Sequence, residues 1–175
     1  DVVAWARAWD FAATEPTEDS PNPDWTAGVK IGRRANGRYV VAHVARDRVQ
    51  ASRVREMVKR TAEDDGKGVR ISIPEDPGQA GKDQAQSYVT MLAGWSVVRR
   101  RPSKDKVTRA EPVAAQWQAG NIDVLRGAWN EAFLAELEAF PGVGSNDDQV
   151  DALADAFAVA LGKIDVAPGV KVAGL

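Results

Sequence analysis

Apolar and polar positions change period several times along the chain, and each change marks an element. The opening run "VVAWARAWDFA" (2–12) and "WTAGVKIG" (25–32) are rich in β-branched and aromatic residues, which suit a pleated, half-buried strand. "RYVVAHVARD" (38–47) repeats the pattern after "RRANG", whose Asn36-Gly37 pair is a strong hairpin signal. These segments predict three strands, the second and third antiparallel. From Gln50 to Glu63 the period lengthens, with Val54, Met57, Val58 and Ala62 recurring at helical spacing among charges. "VRISIPEDPG" (69–78) predicts a short strand stopped by Pro74 and Pro77, "GKDQAQSYVTMLAG" a helix from near Gly81, and "WSVVRR" (95–100) another strand. Helices follow over Lys106–Ala119 and Asn130–Phe140, with a short strand at Ile122–Leu125 between them. In "NDDQVDALADAFAVAL" (146–161), Val150, Leu153, Phe157 and Leu161 share one face, while Asp147, Asp148, Asp151 and Asp155 fall on a neighbouring arc. Strands alternating with helices around an antiparallel hairpin predict an α/β class, a mixed sheet flanked by helices.

A chain of 175 residues, 44% hydrophobic, suffices for one domain with a sizeable core. The expected domain spans residues 1–162, and residues 163–175 read as a poorly anchored tail. There is no cysteine and a single histidine, His43, so disulfides, thiolate metal sites and a histidine-built zinc site are excluded. No apolar run reaches the length of a membrane span and the start lacks a signal-peptide pattern, which predicts a cytoplasmic protein with no membrane partner. The net charge of −2 does not announce a nucleic-acid binder. Its distribution does more: "RRRPSKDKVTR" sets Arg99, Arg100, Arg101, Lys104, Lys106 and Arg109 against one acid, Asp105. Such a run reads either as a solvated loop or as a surface facing phosphates. Lys106 and Arg109, three apart, share one helix face, and Arg33, Arg34 and Arg38 surround the hairpin turn as a second candidate contact.

Three groups of carboxylates stand out. Asp10 closes an apolar strand, where an ionised acid is costly unless paired, hydrogen-bonded or metal-bound; capping a turn is the commoner role there. Glu75 and Asp76 follow another strand before a glycine-containing loop, where a plain turn also fits. Asp147 and Asp148 open a helix, which its dipole favours, with Asn146 as a ready N-cap. Two strand ends and a helix start can converge in an α/β sheet. Clustered carboxylates without histidine or cysteine suit hard, oxygen-preferring cations such as magnesium or manganese, and two such ions about 4 Å apart serve phosphodiester cleavage.

"WDFAAT", "DWTAGV", "PEDPGQAGK", "KVTRAEPVAAQWQAGNIDVL" and "NDDQVDALADAFA", in this order, resemble the C-terminal nuclease domain of the large terminase subunit of tailed bacteriophages, over nearly the whole chain. The resemblance implies a ribonuclease H-like fold. It implies an endonuclease that cuts concatemeric viral DNA during genome packaging with two Mg2+ or Mn2+ ions. By motif, Asp10, Asp76 and Asp148 take the places of the three catalytic acids. Glu75 rivals Asp76 and Asp147 adjoins Asp148 as further ligands, and Asp151 lies one turn behind them. Family members often carry histidine where this chain has Asn146. The expected DNA contacts are Lys106, Arg109, Arg101, Lys104, Arg33 and Arg34. The implied partners are double-stranded DNA and, in the full-length protein, an ATPase motor domain, the small terminase subunit and the portal, in the host cytoplasm. No phosphate-binding G-x-x-x-x-G-K-[ST] loop is present, so the chain reads as a domain apart from its motor. A recombinase or junction resolvase of the same fold, and a non-catalytic DNA-binding or docking module whose acids merely cap turns, are the alternatives.

Overall fold

The computed structural model describes residues 1–12, 25–101, 105–142 and 146–162. The expected tail at 163–175 therefore lies outside the described residues. Six strands, β1 (Val2–Asp10), β2 (Thr26–Arg34), β3 (Tyr39–Asp47), β4 (Val69–Pro74), β5 (Val97–Arg100) and β6 (Ile122–Val124), form one sheet in the order β5-β4-β1-β2-β3-β6. β2 is antiparallel to both β1 and β3, and the pairs β1–β4, β4–β5 and β3–β6 are parallel. Five helices flank it: α1 (Ala51–Asp65), α2 (Gln79–Met91), α3 (Lys106–Gln118), α4 (Asn130–Ala139) and α5 (Asp148–Ala160). This is the expected mixed α/β architecture. α2 begins before Gly81 because Gly78, at φ 97°, turns the chain into the helix. Gly81 itself then lies so close to the Asp76 carbonyl oxygen that a Cβ there would collide with it.

Alternation along β1 gives each face of the sheet its own core. Trp5, Arg7 and Trp9 point to the side of α1 and α2. There Trp9 stacks over Gly28 and Trp5 over Gly32, their partners in register, and a Cβ at Gly28 would come within 2.7 Å of the Trp9 ring. Val54, Val58, Ile71, Ile73, Tyr88 and Leu92 complete this core. Ala6, Ala8 and Asp10 point the other way, beside Ala27, Val29 and Ile31 of β2, against Ala152, Leu153, Ala156 and Phe157 of α5. Small side chains on both surfaces let α5 lie close to β1 and β2. α3 and α4 cover its remaining sides, so nearly every residue of α5 is buried.

Candidate active site

β1, β3, β4 and β5 all run the same way, so their C-terminal ends share one edge of the sheet, where open α/β sheets place their sites. Asp10 ends β1 at this edge, and α5 starts there. The 3.6-residue period puts Asp148, Asp151 and Asp155 on one stripe of α5, all three buried, facing Asp10 across the alanine-lined interface. Burial, then the charges of Asp151 and Asp148 with a smaller part from Asp155, push the Asp10 carboxyl up to about 8, against a downward pull from Lys106. Burial also raises Asp151, outweighing Arg109 and Lys106. It raises Asp155 as well, outweighing Arg100 and Arg109.

Helix α3 and the end of β5 supply counter-charge. Asp105 caps α3 by accepting the Thr108 backbone N–H at 3.0 Å, which sets Lys106 in the first turn, facing α5. Lys106 Nζ lies 2.7 Å from Asp147 Oδ1 and 3.4 Å from Asp151 Oδ2. Arg109 Nη2 reaches Asp151 Oδ1 at 2.7 Å, and Arg100 Nη1 reaches Asp155 Oδ1 at 2.7 Å. Asp147, Asp151 and Asp155 are thus in ion-pair contact with Lys106, Arg109 and Arg100, whereas Asp10 makes no ion pair among the described residues and faces Asp148, Asp151 and Asp155.

One positioning residue escaped the sequence reading. Glu136 of α4 is 7% exposed and accepts the backbone N–H groups of Gln149 at 2.6 Å and Val150 at 3.3 Å, together with the Gln149 side-chain amide at 2.5 Å. A carboxylate from a neighbouring helix thereby satisfies the donors that a helix start leaves orphaned. α5 begins one residue later than expected: Asp147, not Asn146, is the N-cap residue, and its side chain makes no capping bond but turns to Lys106. Glu136 so fixes the turn that carries Asp148 and Asp151.

The other expected site residues separate by position. Glu75 is buried, on the α1/α2 side, gripped by Arg101, whose Nε donates to Oε1 at 2.6 Å, and by Arg99 at 3.5 Å. Two arginines already compensate this acid. Asp76 is exposed; carrying the β1–β4 register onward places it two residues beyond the level of Asp10, open to a ligand. Arg33 and Arg34 lie at the opposite end of the sheet, paired in register with Ala4 and Val2, roughly 25 Å along the strand from Asp10. There Arg34 and Arg38 hold Asp123 at 2.5 and 2.8 Å. Lys104 lies outside the described residues.

Among the described residues no three histidine, aspartate or glutamate side chains stand together as a ready-made metal site. The donor chemistry nonetheless fits a hard cation: oxygen ligands alone, and an Asp10 carboxyl pushed up by burial and then by like charges that a cation would offset. Asp10 and Asp148, with Asp151 beside them, are the side chains that could hold it.

The comparisons bear on the fold and the family. The model of a family described as the terminase RNaseH-like domain matches residues 7–159. The structure resembles the zinc-bound large terminase nuclease of the thermophilic phage G20c, with a TM-score of 0.63 at 18% identity over 89% of this chain and 80% of that one. It also resembles the fowlpox virus Holliday junction resolvase, with a TM-score of 0.53 at 7% identity over 91% of this chain and 98% of that one. No curated protein matches by sequence. At such identities the solved structures speak for the fold, and the family model, spanning most of the chain, for its kinship: the chain belongs to the terminase ribonuclease H-like domain family.

Proposed function

We propose that this chain is a metal-dependent endodeoxyribonuclease that hydrolyses double-stranded DNA, and that its task is to cut concatemeric viral DNA during genome packaging. The observation that carries the reading is Asp10: a strand-end acid on the open edge of the sheet, facing Asp148 and Asp151, with its carboxyl driven up to about 8 by burial and like charge. The phage G20c nuclease of similar fold has been solved with bound zinc, which supports a metal-dependent reading. Two Mg2+ or Mn2+ ions there would activate a water and stabilise the leaving oxygen. The protein's own side chains do the rest. Asp10 and Asp148 would hold the cations, Asp147 and the exposed Asp76 would offer further oxygens, and Glu136 keeps the first turn of α5 in place. Lys106 and Arg109 hold Asp151 by ion pairs. In this role the partners would be an ATPase motor domain, the small terminase subunit and the portal, in the host cytoplasm.

Supercoiled plasmid incubated with the protein and Mg2+ or Mn2+ should be nicked and linearised, and excess chelator should stop it. Asp10→Asn should reduce the rate by more than about 100-fold, since even the residues that orient metal ligands are worth 10–100-fold. Chelator-resistant cleavage, or full activity of this variant, contradicts the proposal. The resolvase-like fold makes a four-way junction the control substrate: a strong preference for it over linear duplex would move the function to junction resolution.

A further inference from the structure

Trp25, just before β2, and Arg46 and Arg48, at the end of β3, form a cluster that no motif in the sequence announces. Two registers place it. Asp10 pairs with Ala27, and Ala27 pairs with Arg46, so Asp10, Ala27 and Arg46 form one row across three strands, all on the α5 side. Neighbouring strands lie about 4.8 Å apart, which sets the Arg46 backbone roughly 10 Å from that of Asp10, with only an alanine methyl between. The Arg46 guanidinium lies 3.6 Å and that of Arg48 4.2 Å from the centre of the Trp25 ring. The Trp25 backbone N–H donates to Asp148 Oδ2 at 3.2 Å, tying the cluster to the carboxylates.

Arg99, Arg100, Arg101, Lys106 and Arg109 at this edge all make ion pairs with carboxylates, whereas Arg46 makes none among the described residues. Its Nε–H and the Trp25 indole N–H are buried with no hydrogen-bond acceptor there, as are Arg109 Nε and Arg100 Nη1, but in Arg46 no carboxylate pair takes up the rest of the guanidinium. Stacking on an indole engages the face of a guanidinium and leaves its in-plane donors for a planar, bidentate acceptor. A phosphate oxygen pair is such an acceptor.

We propose that Trp25 and Arg46 form a clamp for a backbone phosphate of the DNA, lying along the row from the carboxylates and so next to the phosphodiester they address. The proposal rests on the nuclease reading. Its test is the anisotropy of a fluorescein-labelled duplex with the cleavage-silent Asp10→Asn protein in chelator. Adding Arg46→Gln should weaken binding at least ~10-fold and flatten the slope of log affinity against log salt by about 1, as expected for one lost phosphate contact. Arg46→Lys keeps the charge, so it should restore the slope while recovering only part of the affinity. This variant also decides the case if Arg46→Gln fails to fold. Mn2+ binding, followed by calorimetry on the otherwise wild-type background, should be unchanged by either substitution. Parental affinity and slope in both variants overturn the clamp and leave the nuclease reading standing if the wild type cleaves. A wild type that neither binds nor cleaves DNA overturns both.

Discussion

Arg7 and Asp10 stand three residues apart on β1, on opposite faces of the sheet, and the protein treats the two charges in opposite ways. Arg7 is 1% exposed and fully answered. Its Nε and Nη2 donate to the two oxygens of Asp65 at 2.8 and 2.9 Å, and its Nη1 to the Gly28 carbonyl at 2.8 Å. Lys30 adds a second cation 3.0 Å from Asp65, and His43 Nδ1 lies 3.0 Å from Arg7 Nη2. Burial alone would raise Asp65, but the Arg7 hydrogen bonds and charge, with those of Lys30, outweigh it and hold the carboxyl below its usual value. Burial, and then the Arg7 cation, lower His43. Asp10 has no ion-pair partner among the described residues and faces Asp148, Asp151 and Asp155. A balanced buried charge fastens α1 to the sheet; an unbalanced one keeps a site ready for a cation. The difference separates a charge that serves the fold from one that serves the function.

The sharpest way to break this contrast is to remove each charge in turn. Arg7→Met strands Asp65 inside the protein and should cost about 3–5 kcal/mol of stability, read as a lower urea midpoint. Asp10→Asn keeps the shape and relieves like-charge repulsion. In chelator it should gain about 1–2 kcal/mol, raising the melting temperature by a few degrees. Losses of similar size in both variants would refute the distinction.

The two faces should also respond to pH with opposite sign. Asp10 has a folded value of about 8 against 3.8 when unfolded. The stability associated with it is therefore fully present below about pH 4 and erodes as pH rises towards 8. Asp65 is held low in the folded state, so its contribution is complete above about pH 4 and is lost as pH falls through its folded value. Denaturation of the chelated wild type should show stability falling from pH 5 to pH 8, and Asp10→Asn should flatten that slope while leaving the acid limb intact. An unchanged slope would mean that Asp10 titrates normally.

The smallest effect is expected at the far edge of the sheet. Arg34 and Arg38 hold Asp123 there, beyond two Debye lengths from Asp10 at physiological salt. The double Arg34→Ala, Arg38→Ala variant should bind duplex DNA within about twofold of wild type by anisotropy. A large loss would bring the hairpin into the DNA path.

Much of this was legible in the sequence because it rests on local signals. The Asn36-Gly37 turn, the β-branched runs and the helical spacing of Val54, Val58 and Ala62 fix elements within a few residues of themselves. Asp10 stood out as an acid in an apolar strand, and the stripe from Asp148 to Asp155 as an acidic arc, for the same reason. What stayed hidden depends on neighbours distant in sequence. Glu136 reads as one surface acid among several in its helix until α5 is laid across its end. The row from Asp10 to Arg46 exists only once two strand registers are set, and an arginine two strands away gives no periodic cue. Glu75 reads as a rival to Asp76 because nothing local shows that Arg99 of the next strand and Arg101 just beyond it close on it. Lys106 and Arg109 read as outward-facing cations, whereas packing of α3 on α5 turns them onto Asp147, Asp151 and Asp155.

Calorimetric titration of Mn2+ into the chelator-freed wild type and Asp10→Asn proteins asks for the cation itself, without DNA or turnover. The wild type should bind saturably, with competition by Mg2+, and Asp10→Asn at least ~10-fold more weakly. A folded wild type without saturable binding, or equal binding by the two proteins, would contradict a cation site at Asp10.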